Sequence, residues 1–227
     1  TYIDGDSSMT LKLNGSSSGS VSIDAPASTT GGADRTLTLP DDSSNGVIKT
    51  STYPSSIQIL EQFFTPCDGS TIATSAGNVT VQTKADAQTL TTSYVDVAGS
   101  VISYTPPSGT TQVIYEYQFS GMRVDSTPQA HIKMFIDSDE VTDSRYTLSA
   151  DHLEGVWQFK WGINIGGSAV TATGRQASWS SAKTLKLQAR DYSATQDGKL
   201  NETYKHDGTT ASVFFRPSIG ITAIGAA

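Results

Sequence analysis

The sequence predicts an all-β protein in which a short-stranded N-terminal shaft or anchor precedes an antiparallel β-sandwich of the jelly-roll kind. Apolar and polar residues alternate with a period of two in many short segments, and clusters of Gly, Pro, Asp and Ser separate these segments. Ser and Thr together make 61 of the 227 residues, while charged residues make 16%. We therefore expect a strand-rich shaft or anchor over 1–52, a neck over 53–78 and a jelly-roll head over 79–227.

The first 52 residues contain three short alternating pieces, each followed by turn residues. These pieces are "MTLKL" at 9–13, "VSIDA" at 21–25 and "TLTL" at 36–39. The region holds only eleven large apolar residues, whereas Ser, Thr, Gly, Asp and Asn fill 33 positions. Such a segment is either disordered or completed by other chains, and the repeated alternation favours completion by other chains.

A denser apolar patch follows in "YPSSIQILEQFFTP", residues 53–66. Pro54 and Pro66 bracket a segment short enough to be a strand, but a capping pattern at Ser55 and Gln58 also fits a short helix. We interpret the patch as a neck between two regions. Cys67 follows in a turn, without a base near it in sequence, and we expect a small packed side chain rather than a nucleophile.

From residue 79 onward the pattern indicates strands that are buried on one face. The segments "TQVIYEYQF", "HIKMFID", "WQFKWGINI" and "KTLKLQARDY" each place apolar residues on one side and polar residues on the other. Turn residues separate them, as in "YTPPSGT" and "IDSDEVTDS". Regular strand and turn spacing of this kind predicts a two-sheet sandwich or jelly roll.

The closing segment "ASVFFRPSIGITAIGAA" is apolar on both faces. One face carries Val213, Phe215, Ile219 and Ile221, and the other carries Phe214 and Ile224. A strand of this kind is either central in its sheet or pressed against a neighbouring subunit. We favour the subunit contact.

The candidate catalytic and metal-binding residues form no recognisable constellation. Glycoside hydrolysis needs two carboxylates at a defined separation, and nothing brings any two of Glu116, Glu140 and Glu154 together. The three histidines, at 131, 152 and 206, lack metal-ligand spacing. The carboxylates of "DSDEVTD" depart from the calcium-hand pattern and fit a solvated hairpin turn. We expect no enzyme activity, no cofactor and no metal.

Charge and hydropathy disfavour two classes of binding partner, nucleic acids and the membrane interior. The net charge of -7 disfavours binding to nucleic acid, which requires a basic surface. No apolar run of about 20 residues occurs, so we expect no membrane insertion. Cys67 is the single cysteine, and a disulfide framework is therefore not expected.

Several segments resemble virion proteins. "GADRTLTLP" with its acidic turn resembles the short strand repeats of bacteriophage tail fibres and other virion fibre proteins. The segments "TLTTSYVDVAGSVISYTPPSGTTQVIYEY", "KMFIDSDEVTDSRYT" and "RPSIGITAIG" are similar to a C-terminal module in fibre-like structural proteins of marine phages and algal viruses. Together they cover most of residues 88–225. The resemblance implies a jelly roll of the trimeric complement and tumour-necrosis-factor type.

This resemblance implies an intertwined homotrimer that serves as a tail or head fibre, or decorates the particle, and is assembled in the host cytoplasm. Residues 1–52 would share one core across the threefold axis and bind other virion proteins. The candidate trimer-interface residues are Leu37, Leu39, Val213, Phe215, Ile219 and Ile221.

Contact with a host surface glycan or protein is expected from loops at 122–130, 137–145, 166–182 and 191–208. The third loop holds Trp179, the candidate surface-contact residue, which either stacks on a sugar or plugs the space beneath the loop. The alternative functions are a secreted, non-viral, complement-like trimeric binding module and a polysaccharide-degrading fibre enzyme.

Overall fold

The computed structural model describes residues 11–14, 20–23, 57–121, 129–149, 155–195, 198–204 and 212–225. The chain divides into two units, Thr1–Tyr53 and Pro54–Ala227. In the first unit, β1 (Leu11–Asn14) and β2 (Ser20–Ile23) pair as an antiparallel hairpin. Two of the three predicted N-terminal strands are therefore present, and the third, at 36–39, lies outside the described residues.

The second unit is an antiparallel β-sandwich. Its longer strands are β3 (Gln58–Pro66), β9 (Thr110–Ser120), β10 (Gln129–Ile136), β11 (Asp139–Ser149), β12 (Val156–Asn164), β13 (Lys183–Asp191) and β17 (Ser218–Gly225). Its shorter strands are β4 (Thr71–Thr74), β5 (Gly77–Thr80), β6 (Gln88–Thr89), β7 (Val95–Asp96), β8 (Ile102–Tyr104), β14 (Lys199–Leu200), β15 (Glu202–Tyr204) and β16 (Ser212–Phe214). A single 3-10 turn covers Thr171–Thr173 among the described residues.

Two sheets enclose the core. The front sheet has the strand order β12-β9-β17-β3, and the back sheet has the order β11-β10-β13, with β7 and β8 pairing in turn along the other side of β13. Strands distant in sequence are thus neighbours in both sheets, as in a jelly roll. The pairs β4-β5, β6-β14 and β15-β16 form three small ribbons. This architecture confirms the predicted all-β sandwich.

The segment predicted as a neck contributes a strand to the sandwich. β3 pairs antiparallel with β17 along nearly its whole length, from Pro66 opposite Ser218 to Gln58 opposite Gly225. Phe63 packs against the core, with its ring edge-on to Tyr104 at 6.1 Å between centroids. The sandwich therefore includes residues from 57 onward and does not begin at 79. Local pattern could not show this, because the partner strand lies about 160 residues away in sequence.

Three buried tyrosines bring polar groups into the core, and each hydroxyl has an acceptor. The hydroxyl of Tyr115 donates to the carbonyl of Ser100 at 2.6 Å, and that of Tyr117 donates to the carbonyl of Ala98 at 3.0 Å. The hydroxyl of Tyr104 donates to Glu61 Oε1 at 2.7 Å. Burial raises the pKa of all three phenols, because the apolar interior disfavours the charged phenolate.

A side chain completes the back sheet where its edge strand is interrupted. β7 and β8 pair with the two ends of β13, and the chain between them turns away from the ladder opposite Leu187. Val97 N–H donates to the Leu187 carbonyl at 2.8 Å, while Leu187 N–H donates to Ser100 Oγ at 3.0 Å. The Ser100 hydroxyl in turn donates to the Val97 carbonyl at 2.6 Å. The fully buried Ser100 therefore takes the place of a backbone partner.

The closing strand is central in its sheet. β17 lies between β9 and β3 and pairs with both. Of the two interpretations of its two-faced apolar pattern, the central position is the one seen within a single chain. None of the described residues forms a helix long and apolar enough to cross a membrane.

Candidate functional site

The predicted interface residues occupy different environments. Leu37 and Leu39 lie outside the described residues. Ile219 and Ile221 are fully buried between the two sheets of one chain. Phe215 is partly buried, and Val213, in β16, is 38% exposed. A subunit contact through β17 would therefore use the opposite face of this strand.

That opposite face belongs to the outward surface of the front sheet, which is apolar on the β3 side. Phe64 pairs with Gly220 across the strands, and a Cβ on Gly220 would lie 2.5 Å from Phe64 Cδ2. The missing side chain of Gly220 thus lets the phenyl ring lie across the neighbouring strand. Although it covers Gly220, Phe64 remains 52% exposed.

Further apolar residues extend this patch toward the start of β3. Ile59 pairs with Ile224 across a register shift, and Ile59 is well exposed. Ile57, just before the strand, is 78% exposed. Ile57 and Ile224 line a shallow groove of about 550 Å³, together with Ile165 and Arg175. Ile57, Ile59, Phe64 and Ile224 together define the β3 patch.

The β3 patch lies along a free sheet edge. β3 is nine residues long and pairs only with β17 among the described strands. Its single charged residue, Glu61, is occupied by hydrogen bonds from the Tyr104 hydroxyl and from Ser75 N–H. Soluble proteins usually protect such an edge with lysine, proline, a bulge or a covering element. β3 has a register shift near Ile59 and ends at Pro66, but its outward residues supply no lysine. A long edge with exposed apolar residues is suited to contact with another chain.

The other half of the front face is polar. Glu116 of β9 forms an ion pair with Lys160 of β12 at 2.8 Å and accepts a hydrogen bond from Gln158. Gln112 donates to Asn164 Oδ1 at 2.9 Å. The two members of each pair satisfy each other's hydrogen-bonding groups across the strands. These residues therefore form a hydrophilic surface and not a reactive centre.

Trp179 plugs the space beneath its loop and does not form a surface for a sugar. Its side chain is 6% exposed, and its indole N–H donates to the Tyr104 carbonyl at 3.1 Å. The indole ring stands edge-on to the Tyr104 ring, with centroids 6.4 Å apart. Trp179 therefore closes the core beneath the 166–182 loop and does not present a free ring to a ligand.

The candidate carboxylates are held apart. Glu116 lies on the outward face of the front sheet, and Glu140 lies on the outward face of the back sheet, where Lys133 and Arg145 contact it. Face-to-face sheets are separated by about 10 Å, so these two groups cannot flank one sugar bond. Glu154 lies outside the described residues. Asp137 accepts hydrogen bonds from Thr184 N–H and from Lys183, which fixes the turn after β10.

Cys67 is a packed core residue. It is fully buried, and its thiol donates to the Gly99 carbonyl at 3.2 Å. Burial raises the pKa of this thiol to about 12, since the thiolate would lose its hydration. Because the thiolate is the reactive form, this environment suits packing and not nucleophilic chemistry.

The sequence contained signals for the β3 patch that the interpretation as a neck did not use. In consecutive strand positions, Phe63 and Phe64 must point to opposite faces, so one of the two rings had to lie outside the core. Gly220 interrupts the alternation of the closing strand and marks a close approach by a neighbour. Only the register between β3 and β17 shows that Phe64 meets Gly220.

Comparison with known proteins gives distant structural similarities, among them two to virus structures. No protein-family model matches the sequence, and no curated protein sequence matches it. The chain is similar to a chain in the structure of infectious bursal disease virus Gx strain, at 8% identity and a TM-score of 0.32, covering 80% of this chain and 46% of that chain. It thus spans about half the length of that viral chain.

The second similarity is to the structure of a marine algae virus of the order Picornavirales, at 13% identity and a TM-score of 0.21, covering 100% of this chain and 94% of that chain. TM-scores this low establish neither a shared fold nor a family. The jelly-roll topology rests on the strand pairing described above.

Proposed function

We propose that this chain is a non-enzymatic virion structural protein: a homotrimeric tail or head fibre, or a decoration protein, whose β-sandwich forms the head. The sequence resemblance over residues 88–225 supports the virion role, and the antiparallel sandwich is the fold which that resemblance implies. Residues 1–52 would join the head to other virion proteins, and the head would contact the host surface. Assembly would take place in the host cytoplasm.

The β3 patch is the observation that carries the trimer. It combines a free edge strand with exposed Ile57, Ile59 and Phe64, whereas β9 and β12 turn mainly polar residues outward. In a closed ring of three chains, each patch would meet a different surface on the next chain, so all three patches would be covered. The interface would therefore use the outward side of β3 and β17, while Ile219 and Ile221 stay in the core of each head.

Light scattering on the full chain after size exclusion tests the trimer. Three copies of the 24.0 kDa chain give a mass of 72 kDa. Phe64→Asp should shift the protein to monomer at micromolar concentration, because it would bury an unpaired charge in the contact. Val156→Asp is the matched control, since Val156 is similarly exposed on the opposite edge strand of the same sheet. Wild-type protein that is monomeric while its circular dichroism shows a folded head would defeat the trimer.

Immunogold electron microscopy tests the virion role separately. Virus particles purified from infected host cultures should bind a gold-labelled antibody against the chain. The label should lie at regular positions on intact particles. Signal confined to the soluble fraction, with none on particles, would contradict a structural role in the virion.

A further inference from the structure

The outward face of the back sheet gathers aromatic rings and cations from three strands. In the β10-β13 pairing, His131 is opposite Arg190, and Phe135 is opposite Lys186. Tyr94, immediately before β7, completes the cluster at the sheet edge. We call this surface, formed by Tyr94, His131, Lys133, Phe135, Arg190 and Tyr192, the aromatic-basic face.

Cations and rings are in direct contact on this face. Lys133 Nζ lies 4.1 Å from the centroid of the Tyr94 ring, and Arg190 Cζ lies 5.3 Å from the same centroid. The His131 and Tyr192 rings are 6.0 Å apart. Cation–π contacts at these distances hold the long basic side chains against the sheet. The cluster is therefore ordered in advance, which lowers the entropy cost of binding a ligand.

The face is locally positive on an acidic protein. Among the described residues, the charged groups that contact one another or the rings on this face are Lys133, Arg145, Lys186 and Arg190, together with Asp96 and Glu140. Lys186 pairs with Asp96, and the two cations beside Glu140 share one carboxylate. Arg190 has no ion-pair partner among the described residues. These six groups carry an excess of two positive charges, although the whole chain has a net charge of -7.

Two polar atoms on this face have unused hydrogen-bonding capacity. Arg190 Nε and His131 Nε2 are buried and lack a hydrogen-bond partner within the part of the chain that the structure describes. His131 uses its other nitrogen, Nδ1, with Thr147 Oγ1 at 3.1 Å. Buried polar atoms are normally paired, so two unpaired ones on neighbouring side chains show that the described residues leave this cluster without its full set of hydrogen bonds. Beside them, the Tyr192 ring is 59% exposed.

We propose that the aromatic-basic face binds an anionic sugar, with the sugar ring against Tyr192 and its carboxylate or sulfate group at Arg190. An arginine fork can donate two parallel hydrogen bonds to a pair of oxygens of a carboxylate or sulfate group. An exposed aromatic ring offers the apolar surface that the C–H side of a sugar requires. An excess of two charges suits one or two acidic groups on a sugar chain. It does not suit the dense phosphates of nucleic acid, which require an extended basic groove.

The proposal rests on the host-contact role proposed above and names the ligand class for it. The contact would use a sheet face and not the loops predicted from the sequence. Each isolated head would bind weakly, since the negative charge of the rest of the protein opposes an anionic polymer. Several heads acting together would strengthen the attachment.

Binding of the full chain to immobilised oligosaccharides tests the proposal. The probes are oligogalacturonate for carboxylate, a carrageenan oligosaccharide for sulfate, neutral maltotetraose, and a short oligothymidylate for nucleic acid. We expect at least one acidic oligosaccharide to bind about tenfold more tightly than maltotetraose, and added salt to weaken this binding. Equal binding of all the probes, or preferred binding of oligothymidylate, would overturn the proposal.

Single substitutions test which residues of the aromatic-basic face form the binding site. Tyr192→Ala should weaken binding of the acidic sugar about tenfold, and Arg190→Gln should abolish the preference for acidic over neutral sugar. Lys160→Gln removes a cation from the front sheet, on the opposite side of the sandwich, and should leave binding unchanged. Circular dichroism checks that each variant is folded. Unchanged binding in folded Tyr192→Ala and Arg190→Gln would refute the site, whereas a monomeric protein that still binds acidic sugar would refute only the trimer.

Discussion

Replacing Ser100 by alanine should destabilise the sandwich, because it removes one buried oxygen atom that accepts and donates hydrogen bonds. Ser100 Oγ accepts the N–H of Leu187 at 3.0 Å and donates to the carbonyl of Val97 at 2.6 Å. Both partners belong to the junction between β7, β8 and β13. Alanine fits the same space but has no oxygen, so the buried N–H of Leu187 loses its acceptor.

The expected loss of unfolding free energy is about 2 kcal/mol, because an unsatisfied buried donor costs about 1–3 kcal/mol. For a domain of roughly 150–250 residues this corresponds to a drop in Tm of about 4–8 °C. Urea denaturation followed by tryptophan fluorescence measures the free energy, and the slope m should stay the same. Amide hydrogen exchange at Leu187 should accelerate more than exchange at other core amides.

Ser103→Ala is the matched control, because Ser103 lies in β8 of the same sheet edge but is exposed. It should change stability by less than about 0.5 kcal/mol. If the two variants have the same free energy of unfolding, or if exchange at Leu187 is unaltered in Ser100→Ala, Ser100 does not complete the ladder.

Three further predictions concern buried side chains, namely Trp179, Cys67 and two tyrosines. Trp179→Ala should cost about 3–5 kcal/mol in urea denaturation, since it removes a buried ring and the donor to Tyr104 O, and a cost near zero would mean that the ring is not packed. Cys67 should react with a thiol reagent only as fast as the protein unfolds, and rapid labelling of folded protein would contradict its burial. Burial raises the pKa of Tyr115 and Tyr117, so the native state keeps protons that the unfolded chain releases at about pH 10. The stability from these groups is complete below that pH and is lost above it, by up to about 1.4 kcal/mol per pH unit for each group. The phenolate absorbance of the buried tyrosines should therefore appear only together with unfolding, and titration of all nine tyrosines in protein that is still folded would refute the prediction.

Local alternation was sufficient to predict the long strands. "TQVIYEYQF" and "WQFKWGINI" became β9 and β12, and the predicted inward residues, such as Val113, Tyr115 and Ile163, are fully buried. Side chains on a strand alternate between two faces whatever the strand pairs with, so one segment suffices to separate its faces.

The β3 patch and the aromatic-basic face could not be predicted from the alternation within single segments. An apolar face indicates that something covers it, but not whether the cover comes from the same chain. Ile219 and Ile221 illustrate this, since the covering layer is the back sheet of their own sandwich. The pattern of Trp179, a large ring among polar neighbours, was equally compatible with a plug and with an exposed platform.

The sequence by itself therefore determined the all-β class, the long strands and the face that each turns inward, because these depend on a repeat of two residues within one segment. Only the tertiary structure decided that 58–66 is an edge strand, that the closing strand is central, and that Tyr94, Lys133 and Arg190 converge on one face. Each of these depends on pairing between segments far apart in the chain. Such pairing is decided by the packing of the whole sandwich, to which a single segment contributes only a small part.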